Sequence, residues 1–260
     1  MADSLTSFSL AGRVALVTGG AGRLGTPICR GLAQAGAKVL INGRDGAKAE
    51  SLAAELRQLD HSAQALPFDV TDHDRAADIV GRLDRLDILV NNAAPIQTGS
   101  IETVAPSAFA SASAGIVEAA FTLTKVALPL MRVRGGSVIN IASMYGTVSP
   151  DPQIYGSSGL NNPPQYGAAK AGLIQLTRYM ACHLAPDLIR VNAVSPGPFP
   201  PRDRLAREQP DFLRALELKV PMRRVGRPDE IAGVIVFLAS DASSYVTGAN
   251  IPVDGGWTAW

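Results

Sequence analysis

Tyr166 and Lys170 stand four residues apart at the start of a helix-period run that reaches His183 and Leu184. That spacing sets both side chains on one helix face. An ammonium beside a phenol favours the phenolate and lowers a pKa that is otherwise about 10. A tyrosine tuned in this way can exchange a proton with an alcohol or ketone oxygen near neutral pH, and a serine hydroxyl can hold that same oxygen in place. Ser143 is placed for this role, at the end of the apolar strand Ser137-Val138-Ile139-Asn140-Ile141-Ala142 that precedes the helix. Tyr-x-x-x-Lys by itself recurs by chance on amphipathic helices, so the rest of the chain must decide whether the pair carries chemistry.

A second stretch points to a phosphate. Thr18-Gly19-Gly20-Ala21-Gly22-Arg23-Leu24-Gly25 sits between a strand and a helix. Glycines there allow a tight turn, let backbone approach a pyrophosphate, and leave it at a helix N-terminus with free N–H groups. A fold of this kind that selects NAD carries Asp or Glu about 20 residues further on, for the ribose 2′-OH. Here the second strand ends Ile41-Asn42-Gly43-Arg44, with no acid at that place. Arg44 suits a 2′-phosphate, which a guanidinium fork matches. The competing reading makes Arg44 a solvated loop residue and gives the acid's work to Asp45. NADP is expected, with NAD possible.

The elements that must position these residues alternate along the whole chain. Strands are expected at 13–18, 38–42, 63–67, 88–91, 137–142, 189–194 and 250–253, and helices at 24–35, 47–59, 72–83, 106–131, 166–184 and 229–240. Serial β-α-β-α order implies a parallel sheet with helices on both faces, an α/β fold. Pro196-Gly197-Pro198-Phe199-Pro200-Pro201 should stop the sixth strand, since proline lacks a donor and fixes φ. The polar stretch that follows, with Arg202, Arg204 and Arg207 along one side, reads as a mobile helical lid over 198–220. No composition shift marks a linker, so residues 1–260 read as one domain.

Composition excludes several classes. The 24 Lys and Arg nearly balance 23 Asp and Glu, which gives no reason to expect a nucleic-acid partner. Cys29 and Cys182, each inside an expected helix, read as apolar packing residues and not as a disulfide or metal framework. No apolar stretch reads as long enough to span a membrane, and the start of the chain lacks a basic n-region. A cytoplasmic protein is the expectation.

Taken together, these pieces resemble the single-domain short-chain dehydrogenase/reductases over Gly12 to Gly256. Beyond the glycine turn and Ser143, Tyr166 and Lys170, the likeness includes Asp69-Val70, Asn91-Asn92-Ala93-Ala94, Arg190-Val-Asn-Ala-Val-Ser-Pro196-Gly197 and the ending Tyr245-Val-Thr-Gly248 through Asp254-Gly255-Gly256. The resemblance implies a doubly wound Rossmann-type parallel sheet of about seven strands, with the ligand at the carboxyl ends. It makes Tyr166 the acid/base, gives Lys170 the nicotinamide ribose and the lowering of the tyrosine pKa, and has Ser143 orient the carbonyl. Gly19, Gly22, Arg23, Leu24, Gly25, Arg44, Asp69, Val70, Asn91, Ala93, Pro196, Gly197 and Phe199 complete the expected cofactor contacts. No metal is expected. The family's helix pairing further implies a homotetramer, with the small residues Ala168, Ala171 and Gly172 at one contact.

Four departures qualify that likeness. Arg23 stands where the family's short branch has its middle glycine, leaving glycines 19, 22 and 25 in the spacing of the extended branch; Arg23 points either toward a 2′-phosphate or into solvent. Ile116 occupies the place of the catalytic Asn on the fourth helix, so either Ser113 substitutes or proton relay is slower. Pro201 replaces a Thr that contacts the carboxamide. Ser143 and Tyr166 are 23 positions apart, more than the family's usual spacing, so residues 145–164 form an insertion beside the site. Tyr155 stands at the usual distance from Ser143, but Gly159 and not Lys lies four beyond it. The insertion is expected to recognise substrate, with Tyr145, Asp151, Tyr155, Asn161 and Asn162 facing the lid arginines. The function so implied is hydride transfer between NADP(H) and a carbonyl or secondary alcohol of a small polar substrate of sugar-acid, polyol or oxo-acid type. The alternative is a catalytically weak dinucleotide-binding protein with a sensing or assembly role.

Overall fold

Successive side chains of a strand point to opposite sides of a sheet, and here both sides are apolar. In β1 (Val14–Val17) Ala15 and Val17 join one core layer while Leu16 joins the other; Val39 and Ile41 against Leu40 in β2 (Lys38–Ile41), and Ile88 and Val90 against Leu89 in β4 (Ile88–Asn91), repeat the division. A sheet buried on both faces needs helices on both, and the chain supplies them. Helices α1 (Gly25–Gln34), α2 (Gly46–Gln58) and α9 (Ala232–Ala239) cover the first layer, and α3 (His73–Gly81), α5 (Ala119–Met131) and α6 (Pro164–Leu184) the second. With β3 (Ala63–Ala65), β5 (Gly136–Ile141), β6 (Ile189–Pro196) and β7 (Asn250–Val253), the strands form one parallel seven-stranded sheet in the order β3-β2-β1-β4-β5-β6-β7. This computed structural model describes residues 5–95, 98–156 and 158–260. The first four residues, part of the start read above for a basic segment, and residue 157 of the insertion lie outside them.

Local chemistry explains the boundaries. Asp45 caps α2 by accepting from the Lys48 amide at 3.1 Å, and Asp72 caps α3 by accepting from Arg75 at 3.1 Å. Pro164 opens α6 at a position where a missing amide costs no helix bond. Strand β6 runs through Pro196, two residues beyond its expected end. The amides of Ala193 and Gly197 donate to the β7 side, so by alternation the nitrogen of Pro196 faces β5, which ends at Ile141. No ladder bond is lost there.

The long helix expected over 106–131 is interrupted. Helix α4 (Ser107–Ala112) passes into a π-helical turn, Ser113–Glu118, before α5 begins. Gly115 lies in that turn, and a Cβ there would meet the Pro95 ring at 2.3 Å, so the loop after β4 presses against the helix where it widens. The combined run Ser107–Met131 is long and apolar enough to cross a membrane by length and composition, contrary to the sequence expectation. Its apolar side lies in the second core layer, where Leu123, Ala127 and Met131 pack against Val80 and Val138. Cys29 is buried in the first layer, whereas Cys182 is exposed, because the inward face of α6 at that level is formed by Met180, Ala181 and Leu184.

A buried polar chain ties the central strands to α6. Asn91 Nδ2 donates to Asn140 Oδ1 at 2.9 Å, Asn140 Nδ2 to Thr177 Oγ1 at 2.9 Å, and the Thr177 hydroxyl to the Leu173 carbonyl at 2.8 Å. Asn140→Leu strands the Asn91 donor in the interior and is expected to cost about 2 kcal/mol. The urea midpoint should fall with unchanged slope; an unmoved midpoint would show that the network contributes nothing.

Candidate active site

The order of the sheet reverses between β1 and β4, and a cleft opens above the carboxyl ends of these strands. One part, about 320 Å³, is lined by Arg44, Asp69, Val70, Phe68 and Gly19. The next, about 410 Å³, is lined by Gly22, Arg23, Leu24, Asn92, Ser143, Tyr166, Lys170, Gly197 and Phe199. Gly19, Ala93 and Ala94 border both, so the two form one elongated groove.

The glycine turn is built by close backbone approach. Gly19 has φ +60°, and a Cβ on Gly25 would lie 2.1 Å from the Gly19 carbonyl oxygen. The Thr18 hydroxyl accepts from the amides of Asn92 and Ala93 at 2.9 and 3.0 Å, while Asn92 Nδ2 donates to the carbonyls of Thr18 and Gly19. These bonds lock the turn to the end of β4. The turn lies at the N-terminus of α1 and forms a cradle suited to a diphosphate.

At the other end, Ser143 is extended (φ −168°), with its Oγ accepting from the Tyr145 amide at 3.1 Å. The turn that follows lies directly on α6. A Cβ on Gly146 would sit 2.9 Å from the Lys170 carbonyl carbon, and one on Gly167 2.9 Å from the Tyr145 carbonyl oxygen. This contact brings Ser143 to Tyr166 across the long insertion. Lys170 is 2 % exposed; its amine donates to the Ile141 carbonyl at 2.5 Å and lies 5.6 Å from the centre of the Tyr166 ring.

Burial decides both titrations. Desolvation lowers the Lys170 pKa to about 7. Desolvation also raises that of Tyr166, with a smaller opposing effect from the hydrogen bond to Ser143. The sequence expectation of a phenolate favoured by Lys170 is therefore reversed in this state of the protein. Loss of hydration penalises the phenolate and the ammonium alike.

Other expectations are corrected as well. Arg23 is exposed at the rim of the groove, and there its guanidinium donates from Nε to the Phe199 carbonyl at 2.6 Å and from Nη2 to the Pro200 carbonyl, a contact neither expectation named. Ser113 does not stand in for the missing Asn, because its hydroxyl donates to Glu118 at 3.0 Å on the outer side of the π turn, and Ile116 packs with Ala120, Ala169 and Leu173. Asn91 belongs to the chain of bonds beneath the groove, whereas Asn92, which the sequence reading passed over as a site residue, lines it. The signal for Asn92 was its place one residue past β4, where the ladder ends and side chains are free to bond the facing turn. Asp45 caps α2 while Arg44 lines the groove. Asp69 accepts from the Thr71 amide and hydroxyl, which hold its carboxyl below the usual range, with Arg44 adding a smaller pull.

The lid and insertion also differ from expectation. The lid is two helices, α7 (Arg202–Glu208) and α8 (Pro210–Lys219), whose Leu205, Leu213 and Leu216 pack with Ile154, Val220, Val225 and Trp257 in a separate small core. Tyr155 stacks on Phe212 with ring centres 5.6 Å apart, its hydroxyl 3.2 Å from that of Tyr145. Asp151 pairs with Lys219 at 3.0 Å, Arg202 with Glu217 and Arg204 with Glu208. Asn161 donates to the Gly99 carbonyl, and Asn162 lines a groove of about 810 Å³ with Tyr145, Tyr155 and Ala168. The insertion thus meets the lid through the Tyr155–Phe212 stack and the Asp151–Lys219 pair, while Arg202 and Arg204 pair with glutamates of the lid itself.

The sequence signature of the family described as enoyl-(acyl carrier protein) reductase matches residues 20–258. The rhamnolipid-biosynthesis 3-oxoacyl-[acyl-carrier-protein] reductase of Pseudomonas aeruginosa is 38 % identical, over 96 % of this chain and 98 % of its own. The galactitol 2-dehydrogenase (L-tagatose-forming) of Cereibacter sphaeroides is 35 % identical over 99 % of this chain and 100 % of its own. Among solved structures, a gluconate 5-dehydrogenase from Burkholderia cenocepacia, in complex with NADP and tartrate, superposes with a TM-score of 0.89 at 30 % identity, covering 99 % of this chain and 100 % of that one.

The buried amine sets a pH dependence. The folded chain holds the Lys170 proton up to about pH 7, the unfolded chain up to about pH 10. Between those values the unfolded state binds more protons, so stability rises with pH, and the cost of Lys170 is greatest below pH 7. Lys170→Met is expected to raise the unfolding free energy at pH 6 by on the order of 3 kcal/mol more than at pH 9.5. Equal gains at both pH values in urea melts would mean that the amine is not desolvated.

Proposed function

The chain belongs to the short-chain dehydrogenase/reductase family, and we propose that it moves hydride between NADP(H) and a carbonyl or secondary alcohol of a small polar substrate, of sugar-acid, polyol or oxo-acid type. The observation that carries this reading is a single groove with Arg44 at one end and Ser143, Tyr166 and Lys170 at the other. Its glycine turn fits a dinucleotide: a Cβ at Gly25 would lie 2.1 Å from the Gly19 carbonyl oxygen and one at Gly19 3.1 Å from Asn92 Nδ2, so only glycines let the turn fold this tightly beside the groove. Full-length relatives named for gluconate and galactitol favour the polar substrate class.

A bound nicotinamide would supply or accept the hydride. The protein's own part is proton transfer and alignment. In the reductive direction the Tyr166 hydroxyl gives its proton to the substrate oxygen as that oxygen becomes an alkoxide, and Ser143 donates a hydrogen bond to the same atom. The raised tyrosine pKa keeps that proton in place at neutral pH. Lys170, fixed through Ile141, presents its amine below the tyrosine ring, where a ribose hydroxyl can bond it. Arg44 supports NADP over NAD, since Asp45 is engaged as a cap and Asp69 by Thr71.

We also propose a homotetramer. Phe109 and Phe121 of the α4–α5 run and Tyr179 of α6 are about half exposed, beside the open face of α6 around Ala168 and Gly172. Apolar side chains gathered on neighbouring helices fit a self-complementary contact, and a second such contact at β7 would close the assembly. Light scattering at micromolar concentration should give four times the chain mass; a monomer there removes this proposal.

NADPH and NADH oxidation across a panel of ketones and keto-acids tests the function. Tyr166→Phe should lower kcat by about a thousandfold or more, within the range of a lost general acid, while NADPH still binds. Gly43 has no heavy atom within 4 Å of its Cβ position, so Gly43→Asp fits and should swing preference toward NADH. No turnover of any carbonyl by wild type, or wild-type use of NADH as good as NADPH, would remove the reading of the substrate or of Arg44 respectively.

A further inference from the structure

Arg23 joins two parts of the molecule that sequence places 176 residues apart. It belongs to the glycine turn, yet its guanidinium bonds the carbonyls of Phe199 and Pro200, where β6 gives way to the lid. Gly22, Arg23 and Leu24 of the turn and Pro196, Gly197 and Phe199 at the end of β6 all line the groove. The side chain therefore ties together two segments that line the groove. The rest of the lid entrance is held firmly: the Phe199 ring lies against Gly226, whose Cβ would meet it at 2.4 Å, and Gly226 donates its amide to the Pro198 carbonyl. Charges on α7 act on the same group, with burial and Arg204 disfavouring its cation and Asp203 favouring it. A guanidinium can bridge two carbonyl oxygens through different nitrogens at once, and an ammonium on a flexible stem is a poorer bridge.

We propose that Arg23 is a positioning residue, a latch that ties the lid entrance to the glycine turn and sets how fast the dinucleotide enters and leaves the groove. The proposal rests on the nucleotide site described above. A latch that closes both before and after binding slows both directions and leaves affinity nearly unchanged. Arg23→Leu removes the donors without loosening the backbone as glycine would.

Stopped-flow NADPH fluorescence and amide hydrogen exchange on the nucleotide-free full chain test it together. In Arg23→Leu, both kon and koff for NADPH should rise by about tenfold, the scale of one lost net hydrogen bond, with Kd changed by less than about threefold. Amides of 199–205 should exchange faster without nucleotide, and Arg23→Lys should fall between wild type and Arg23→Leu in both measurements. A faster koff with unchanged kon would make Arg23 a direct nucleotide ligand and overturn the latch, as would unchanged exchange at 199–205. A wild-type protein that gives no NADPH signal at all would remove the nucleotide reading instead, while the exchange measurement would still decide whether the two segments are tied.

Discussion

An amine deprived of water at the carboxyl end of β5 is the constraint on which the site depends. Lys170 can be kept there only because the Ile141 carbonyl, freed where the strand ends, accepts from it. An unpaired amine in that position would cost several kcal/mol. The strand must therefore stop at Ile141, and α6 must enter at the height that puts its second turn against that carbonyl. Pro164 starts the helix two residues before Tyr166, and the Gly146 and Gly167 contacts let the turn after Ser143 lie on it. Serine, tyrosine and lysine are assembled by the approach of two backbones that any Cβ would push apart.

The same burial that assembles the site opposes its charged forms. Tyr166 is held protonated and Lys170 is only partly cationic near neutrality. This balance suits proton donation to a carbonyl oxygen more readily than proton removal from an alcohol, because the first step begins from the form that desolvation favours. Beneath it, the Asn91, Asn140 and Thr177 bonds tie β4, β5 and α6 together, so the floor of the site is set by a chain of buried side-chain hydrogen bonds.

Around the mouth, the insertion and the lid pack against each other. Tyr155 on Phe212, Asp151 on Lys219 and the Trp257 cluster join segments that sequence separates widely, and Arg23 bonds the chain where β6 leads into the lid. Insertion and lid share a small second core lying apart from the two layers that cover the sheet.

The sequence by itself determined the parallel α/β sheet, since strand-length apolar runs alternating with helical periods leave no other covered arrangement. It also determined the identity of Ser143, Tyr166 and Lys170 as candidates, because a helix puts positions four apart on one face whatever surrounds it. The glycine turn was legible for a similar local reason: its type and its place between strand and helix lie within a few residues. What only the tertiary structure decided were the interactions whose partners are far along the chain. The partner of Arg23 lies beyond residue 198, the lid's apolar face is met by Ile154 and Trp257, and the π turn at 113–118 is met by Pro95. The direction of the tyrosine and lysine shifts belongs to this second kind. Spacing can report the neighbouring charge, but desolvation depends on everything packed around the pair, and that sum exists only when the chain is folded.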